Sequence, residues 1–220
     1  YLEAAKLYDT TATFYQSRIK FAKKFGIKNT LLLNPPYEKK IHSKIKISNK
    51  ERKKMSSDVA IISTWRPDQG LFLKKLIEKG LDIKIYGNRW HLDKNYFFMK
   101  SNIFLGHVDH PKYAKIIQCS KMSIILPSKE NFDGITRRSF ENAAIGTFLL
   151  AKRSHEHKKY FEEDIEAVYF TNENDCYKKC LYYLKNDKLR KKIAKNGHIK
   201  VTKILQADFE TTIEKFIKQI

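Results

Sequence analysis

The chain has 220 residues, 42% of them hydrophobic, which is enough for one large α/β domain or for one domain with part of another. With 31% charged residues, a mean hydropathy of −0.55 and no apolar run near the roughly 20 residues that a membrane span needs, a transmembrane helix is excluded. The formal charge of +20 and pI of 9.7 favour an anionic partner, but the excess is mostly lysine spread along the whole length. No zinc finger, basic zipper, Gly-rich RNA motif or arginine-dense block accompanies it, so a nucleic-acid partner is not expected. A peripheral contact with anionic lipid suits the charge better.

Cysteine usage points to a reducing compartment: Cys119, Cys176 and Cys180 are an odd number and read as free thiols. The expected location is therefore cytoplasmic, with any membrane contact peripheral and at the inner face. There is no signal-peptide pattern at Tyr1, and the chain begins inside what reads as a structured segment.

In chain order, strand-like and helix-like stretches alternate, the pattern of parallel α/β units. A strand over 9–15 leads to a helix from Ser17 to Phe25, closed by Gly26, and then to a short strand over 30–33. Pro35 and Pro36 stop that strand, and a lysine-rich polar stretch follows, read as a linker over 38–56. From Ser57 the pattern restarts, with strands expected over 59–63, 82–86, 102–105, 122–126, 147–150 and 167–170. Helices are expected up to Gly80, over 111–119, from Ile135 or Thr136 to Gly146, over 154–161, 173–184 and 187–197, and at the end over 207–220. The fold class is a Rossmann-like, doubly wound parallel sheet over 57–205, preceded by the end of another Rossmann-like domain over 1–37. The segment 206–220 is a terminal helix expected to pack back on that first domain.

Asp133 and Glu141 lie eight positions apart, with Gly134 beside the first and a helix start just after it. Free N–H groups and the positive end of a helix dipole suit a diphosphate there, and Arg137 and Arg138 add bidentate donors. Glu141 would then meet a ribose, a carboxylate being able to accept from both vicinal hydroxyls. On spacing alone an ordinary reading stays open, with Asp133 as a cap, solvated arginines and Glu141 on an exposed face. Trp65 and Trp90 lie in loops after strands and either stack on a base or sugar or plug a cleft. His155 and His157 do not share a helix face and read as surface residues. No metal is expected, since no second ligand pair has metal spacing, and no other cofactor is expected either.

The ordered set SDVAIIS, KIYGNRW, NIFLGHV, DGITRRSFENAAIGTFLL, HEHKKYFEEDIEAVYF and CLYYLKNDKLRKKIAKNG resembles the carboxyl-terminal domain of GT-B-fold glycosyltransferases, closest to the CgeB-like (spore maturation protein) branch of the glycosyltransferase group 1 superfamily. The resemblance implies binding of a nucleoside-diphosphate-sugar donor and metal-independent transfer of the sugar to a glycan, protein or lipid-linked acceptor that it does not identify. It puts Glu141 at the second acid of the family's Glu-x7-Glu signature, on the donor ribose, and Asp133 at the first acid, near the donor sugar, shorter by one methylene. Gly134, Ile135 and Thr136 then supply backbone contacts, and Arg138 matches the family arginine. Gly87 and Arg89 match the turn after the second strand, and His107 and Val108 the loop that meets the base. Arg66 is the candidate phosphate partner. A complete enzyme of this kind has an acceptor domain before the donor domain, of which only the last strand-helix-strand is expected here, so the chain reads as a fragment or a degenerate member. A donor-binding module without turnover is the alternative.

Overall fold

The computed structural model describes residues 2–127 and 134–220. Helix α1 (Leu2–Ala5) precedes strand β1 (Thr11–Thr13), and α2 (Gln16–Lys24) returns the chain to β2 (Thr30–Leu32), which pairs with β1 in parallel. Gly26, at φ 75°, ends α2 in the left-handed conformation that favours glycine. The segment read as a polar linker contains a helix, α3 (Asn49–Met55). A capping box starts it: the Glu51 N–H donates to Ser48 Oγ at 3.3 Å, and the Ser48 N–H donates to the Glu51 carboxylate at 3.0 Å.

The main sheet begins with β3 (Ser57–Ile62), followed by α4 (Gly70–Glu78), β4 (Ile83–Gly87), the short α5 (Tyr96–Met99) and β5 (Ile103–Leu105). Next come α6 (Lys112–Cys119), β6 (Ser120–Ile125), α7 (Arg137–Ile145), β7 (Phe148–Lys152), α8 (His155–Tyr160) and β8 (Val168–Phe170). Helices α9 (Glu173–Lys185), α10 (Asp187–Ile199) and α11 (Phe209–Ile217) complete the chain. The six strands are parallel in the order β5-β4-β3-β6-β7-β8.

Alternation along each strand feeds two apolar layers. Val59, Ile61, Phe148 and Leu150 pack with Leu73 and Leu76 of α4 and with Cys176 and Cys180 of α9. Leu149, Ala151 and Tyr169 turn the other way, toward Phe140, Ala143 and Ala144 of α7. Ala60 lies with Ile116 and Ile117 of α6. Both faces are covered, which is why the strands read as continuous apolar runs.

The strand order reverses between β3 and β6, whose connections leave in opposite directions along the sheet. A crevice opens at the carboxyl ends of two such strands. The chain's last part returns to its first: the Tyr37 N–H donates to the Ala207 carbonyl and the Phe209 N–H to the Tyr37 carbonyl, each at 2.9 Å.

Candidate functional site

A cavity of about 680 Å³ lies at this crevice. Ile61 to Thr64 form one wall, Ser123 to Leu126 another, and Thr136, Arg137, Arg138, Glu141 and Asn142 bring in the start of α7. The loop 107–110 and Tyr113 close a third side, while Glu38, Ile41 and His42 reach in from the segment before the main sheet.

Glu141 is 5% exposed, which rules out the solvated reading of this residue. Its two oxygens have different surroundings. Arg138 Nη1 donates to Oε2 at 2.9 Å, and the Tyr113 hydroxyl, which donates to Asn142 Oδ1, lies 3.4 Å from the same oxygen. Oε1 faces Arg137 Nη2 at 3.5 Å and His42 Nε2 at 3.8 Å, neither close enough to saturate it. One oxygen anchors the carboxylate, and the other has only these two more distant neighbours among the described residues.

The groups around Glu141 have shifted proton affinities. Burial pulls the His42 imidazole down to about 4, against the Glu141 carboxylate, which pulls the other way. His42 Nδ1 accepts from the Glu38 N–H at 2.9 Å, so the neutral ring carries its proton on Nε2, toward Glu141. Burial raises the Tyr113 hydroxyl above its ordinary range and keeps it a neutral donor. Burial also opposes the Arg138 charge, but Tyr113 and Glu141 beside it hold that guanidinium above its usual value. The Arg138 guanidinium stacks 4.6 Å from the Tyr113 ring centroid.

Three buried polar atoms in the cavity wall have no hydrogen-bond partner among the described residues: Arg66 Nε, Gln69 Nε2 and Thr136 Oγ1. Arg66 is fixed by its Nη2, which donates to the Leu126 carbonyl at 2.7 Å and so ties the β3 loop to the end of β6. Buried donors left unpaired carry a desolvation cost that a bound acceptor removes. Among the described residues no group of three or more His, Cys, Asp or Glu side chains is placed to hold a metal ion.

Residues 66–211 match the glycosyl transferase-like family. The chain belongs to that family. No curated protein matches it in sequence. Among solved structures it is similar to Anabaena HepE, crystallised with UDP and glucose, at TM-score 0.74 and 12% identity, over 99% of this chain and 64% of that one. TarM of S. aureus matches at TM-score 0.71 and 16% identity over 99% and 45%, and sucrose-phosphate synthase of Thermosynechococcus elongatus at 0.72 and 11% over 99% and 61%. The fold is therefore the Rossmann-like half of the GT-B architecture, and the chain spans between 44% and 65% of the length of the first such structures.

In this glycosyl transferase-like chain Arg66, His107, Val108, Thr136, Arg138 and Glu141 meet at the cavity. Asp133 lies outside the described residues. Gly134, Ile135, Gly87 and Arg89 are not in the cavity wall. Ile135 is fully buried against the α7 core, and the side of Gly134 where a Cβ would sit is filled by the Glu156 carboxylate. Gly87, at φ 141°, lies where a Cβ would come within 2.1 Å of the Ser63 carbonyl, so it supports the wall from behind. Arg89 takes a left-handed turn at φ 67°.

The tryptophans hold the loops. Trp90 has no exposed surface and donates to the Ser63 carbonyl at 2.8 Å, and Trp65 donates to Asp93 at 2.7 Å. His157 corrects the surface reading, because its ring is fully buried between Ser139 Oγ at 2.9 Å and Ser154 Oγ at 3.0 Å, and Ser154 donates onward to the Gly134 carbonyl. His155 is exposed as expected. Sequence reasoning missed His42, Gln69 and Tyr113. Gln69 sits in the same post-strand loop as Arg66, a signal that was there to be used. His42 lies in a polar stretch that carries none.

Proposed function

We propose that the cavity binds a nucleoside-diphosphate sugar and that the whole protein transfers that sugar to an acceptor without a metal. The observation that carries this is the division of Glu141, with Oε2 held by Arg138 and Oε1 left open, beside the three unpaired donors. A vicinal ribose diol fits the open carboxylate oxygen. A diphosphate fits Arg66, Gln69 and Thr136 together with Arg137 at the N-terminus of α7. The same cations and the helix dipole stabilise the departing diphosphate as the glycosidic bond breaks, which is the step a metal would otherwise assist. His107 and Val108 form the side of the cavity left for the base. Asp133 stands where the family resemblance puts a contact to the donor sugar. Support also comes from HepE, a structural neighbour crystallised with UDP-glucose. The ordered motifs favour the CgeB-like branch.

Calorimetry and thermal shift with UDP, GDP, ADP, CMP and UDP-glucose test the reading. At least one nucleotide should raise the melting temperature, and Glu141→Ala should lose about 2 kcal/mol, roughly 30-fold, in affinity for it. If no nucleotide stabilises the wild-type chain, or if Glu141→Ala binds as tightly, the assignment is wrong.

A further inference from the structure

A second surface lies away from the cavity, at residues 91–100 between β4 and β5. Three residues pin this segment from inside: Trp90 and Met99 have no exposed surface and Asp93 is 6% exposed. Asp93 accepts from Trp65 Nε1 at 2.7 Å and from the Asn95 N–H at 2.8 Å, and its carboxylate fills the space beside Gly70 at the start of α4. With those anchors fixed, Asn95 and Tyr96 stay half-buried and the other residues of the segment are exposed. Phe97 is 86% exposed, and Phe98 and Leu92 nearly half exposed.

The rim of this apolar group is basic. Lys94 and Lys100 are exposed and make no ion pair among the described residues. Lys74 Nζ sits 5.0 Å from the Phe98 ring centroid. The acid nearest in sequence on α4, Glu78, is already paired with Lys74. Adjacent aromatic rings held out on a rigid turn and flanked by ammonium groups match a headgroup region, where rings enter the acyl boundary and lysines stay at the phosphates. An acidic protein partner would match the lysines but would leave a ring as exposed as Phe97 without a pocket of its own. The net charge of +20 draws the whole chain to an anionic surface, and this patch decides which face lands.

We propose that the segment 91–100 is a membrane-docking surface for anionic lipid, with Phe97 and Phe98 inserting and Lys94 and Lys100 contacting headgroup phosphates. Co-sedimentation of the full chain with vesicles of phosphatidylcholine alone and of phosphatidylcholine with phosphatidylglycerol tests it. Binding should require the anionic lipid. The double variant F97S/F98S, which keeps the charge, should weaken it about tenfold or more, and K94E/K100E should do likewise. Circular dichroism and nucleotide-induced thermal shift serve as folding controls, because none of the four residues lines the cavity. Equal binding to neutral vesicles, or anionic binding that survives F97S/F98S in a folded protein, overturns the proposal. The second outcome would assign the attraction to diffuse charge.

Discussion

At the scale of single residues, several positions support the cavity without lining it. Gly87 is one. Its φ of 141° suits glycine alone, and a Cβ there would overlap the Ser63 carbonyl, which belongs to backbone that cannot swing aside. Gly87→Ala should therefore cost about 3 kcal/mol in urea denaturation, whereas Gly80→Ala, strained at φ 86° but facing open space, should cost only about 1 kcal/mol. His157 is another. Its ring joins Ser139 on α7 to Ser154, and Ser154 holds the Gly134 carbonyl, so the turn entering α7 is held by a buried chain of hydrogen bonds. The sequence concealed this because spacing of histidines along a helix reports which residues share a face, and says nothing of what covers that face. Glu141 was legible as a site candidate for the opposite reason: its place one turn into a helix after Gly134 is set by local sequence, and the fold buries it at the cavity.

At the scale of elements, the strands were readable because a parallel sheet covered on both faces demands unbroken apolar runs such as Val59 to Ile61 and Phe148 to Ala151. Helix α7 was readable from its stop, since Gly146 takes φ 90° at the C-cap. Helix α3 was not. Its sequence, NKERKKM, has no apolar stripe and buries no residue, so periodicity cannot reveal it. It is held by its capping box, by the Lys115–Glu51 ion pair to α6 and by Met55 alone packing on the core beside α6. Ser48→Ala should then cost about 1 kcal/mol of global stability, read by thermal melting, and should leave nucleotide affinity unchanged because Ser48 does not line the cavity. His42, in the same polar stretch, was hidden likewise, its partner Glu141 being distant in sequence and adjacent only in the folded chain.

At the scale of the whole molecule, acid should act on stability well before the carboxylates titrate. Burial lowers His157 and His42 to about 4, below the ordinary 6.5 of an unfolded histidine. Their contribution is complete above pH about 6.5 and is lost as pH falls toward 4, because the unfolded chain then takes up protons that the folded one refuses. Between pH 7 and 5 the enclosed His157 should account for about 2 kcal/mol, and the less enclosed His42 for less. Melting temperature measured across that range should fall with acid, and His157→Gln should flatten the slope; an unchanged slope would show that the ring is protonated in the folded state. The lowered carboxyls of Glu51 and Asp208 extend the same trend to lower pH.

The clip in which Tyr37 lies between Ala207 and Phe209 also bears on the order of folding events. It joins residues separated by most of the chain, and closing so long a loop carries an entropy cost that near-neighbour strand pairs such as β6 and β7 avoid. The sheet can therefore assemble before the clip, and Glu38 and His42, just beyond Tyr37, reach the cavity wall from a segment that the clip ties to residues 207–209. The clip is then a second support for one wall of the cavity, beside the ring contacts of His42 with His110 and Tyr113.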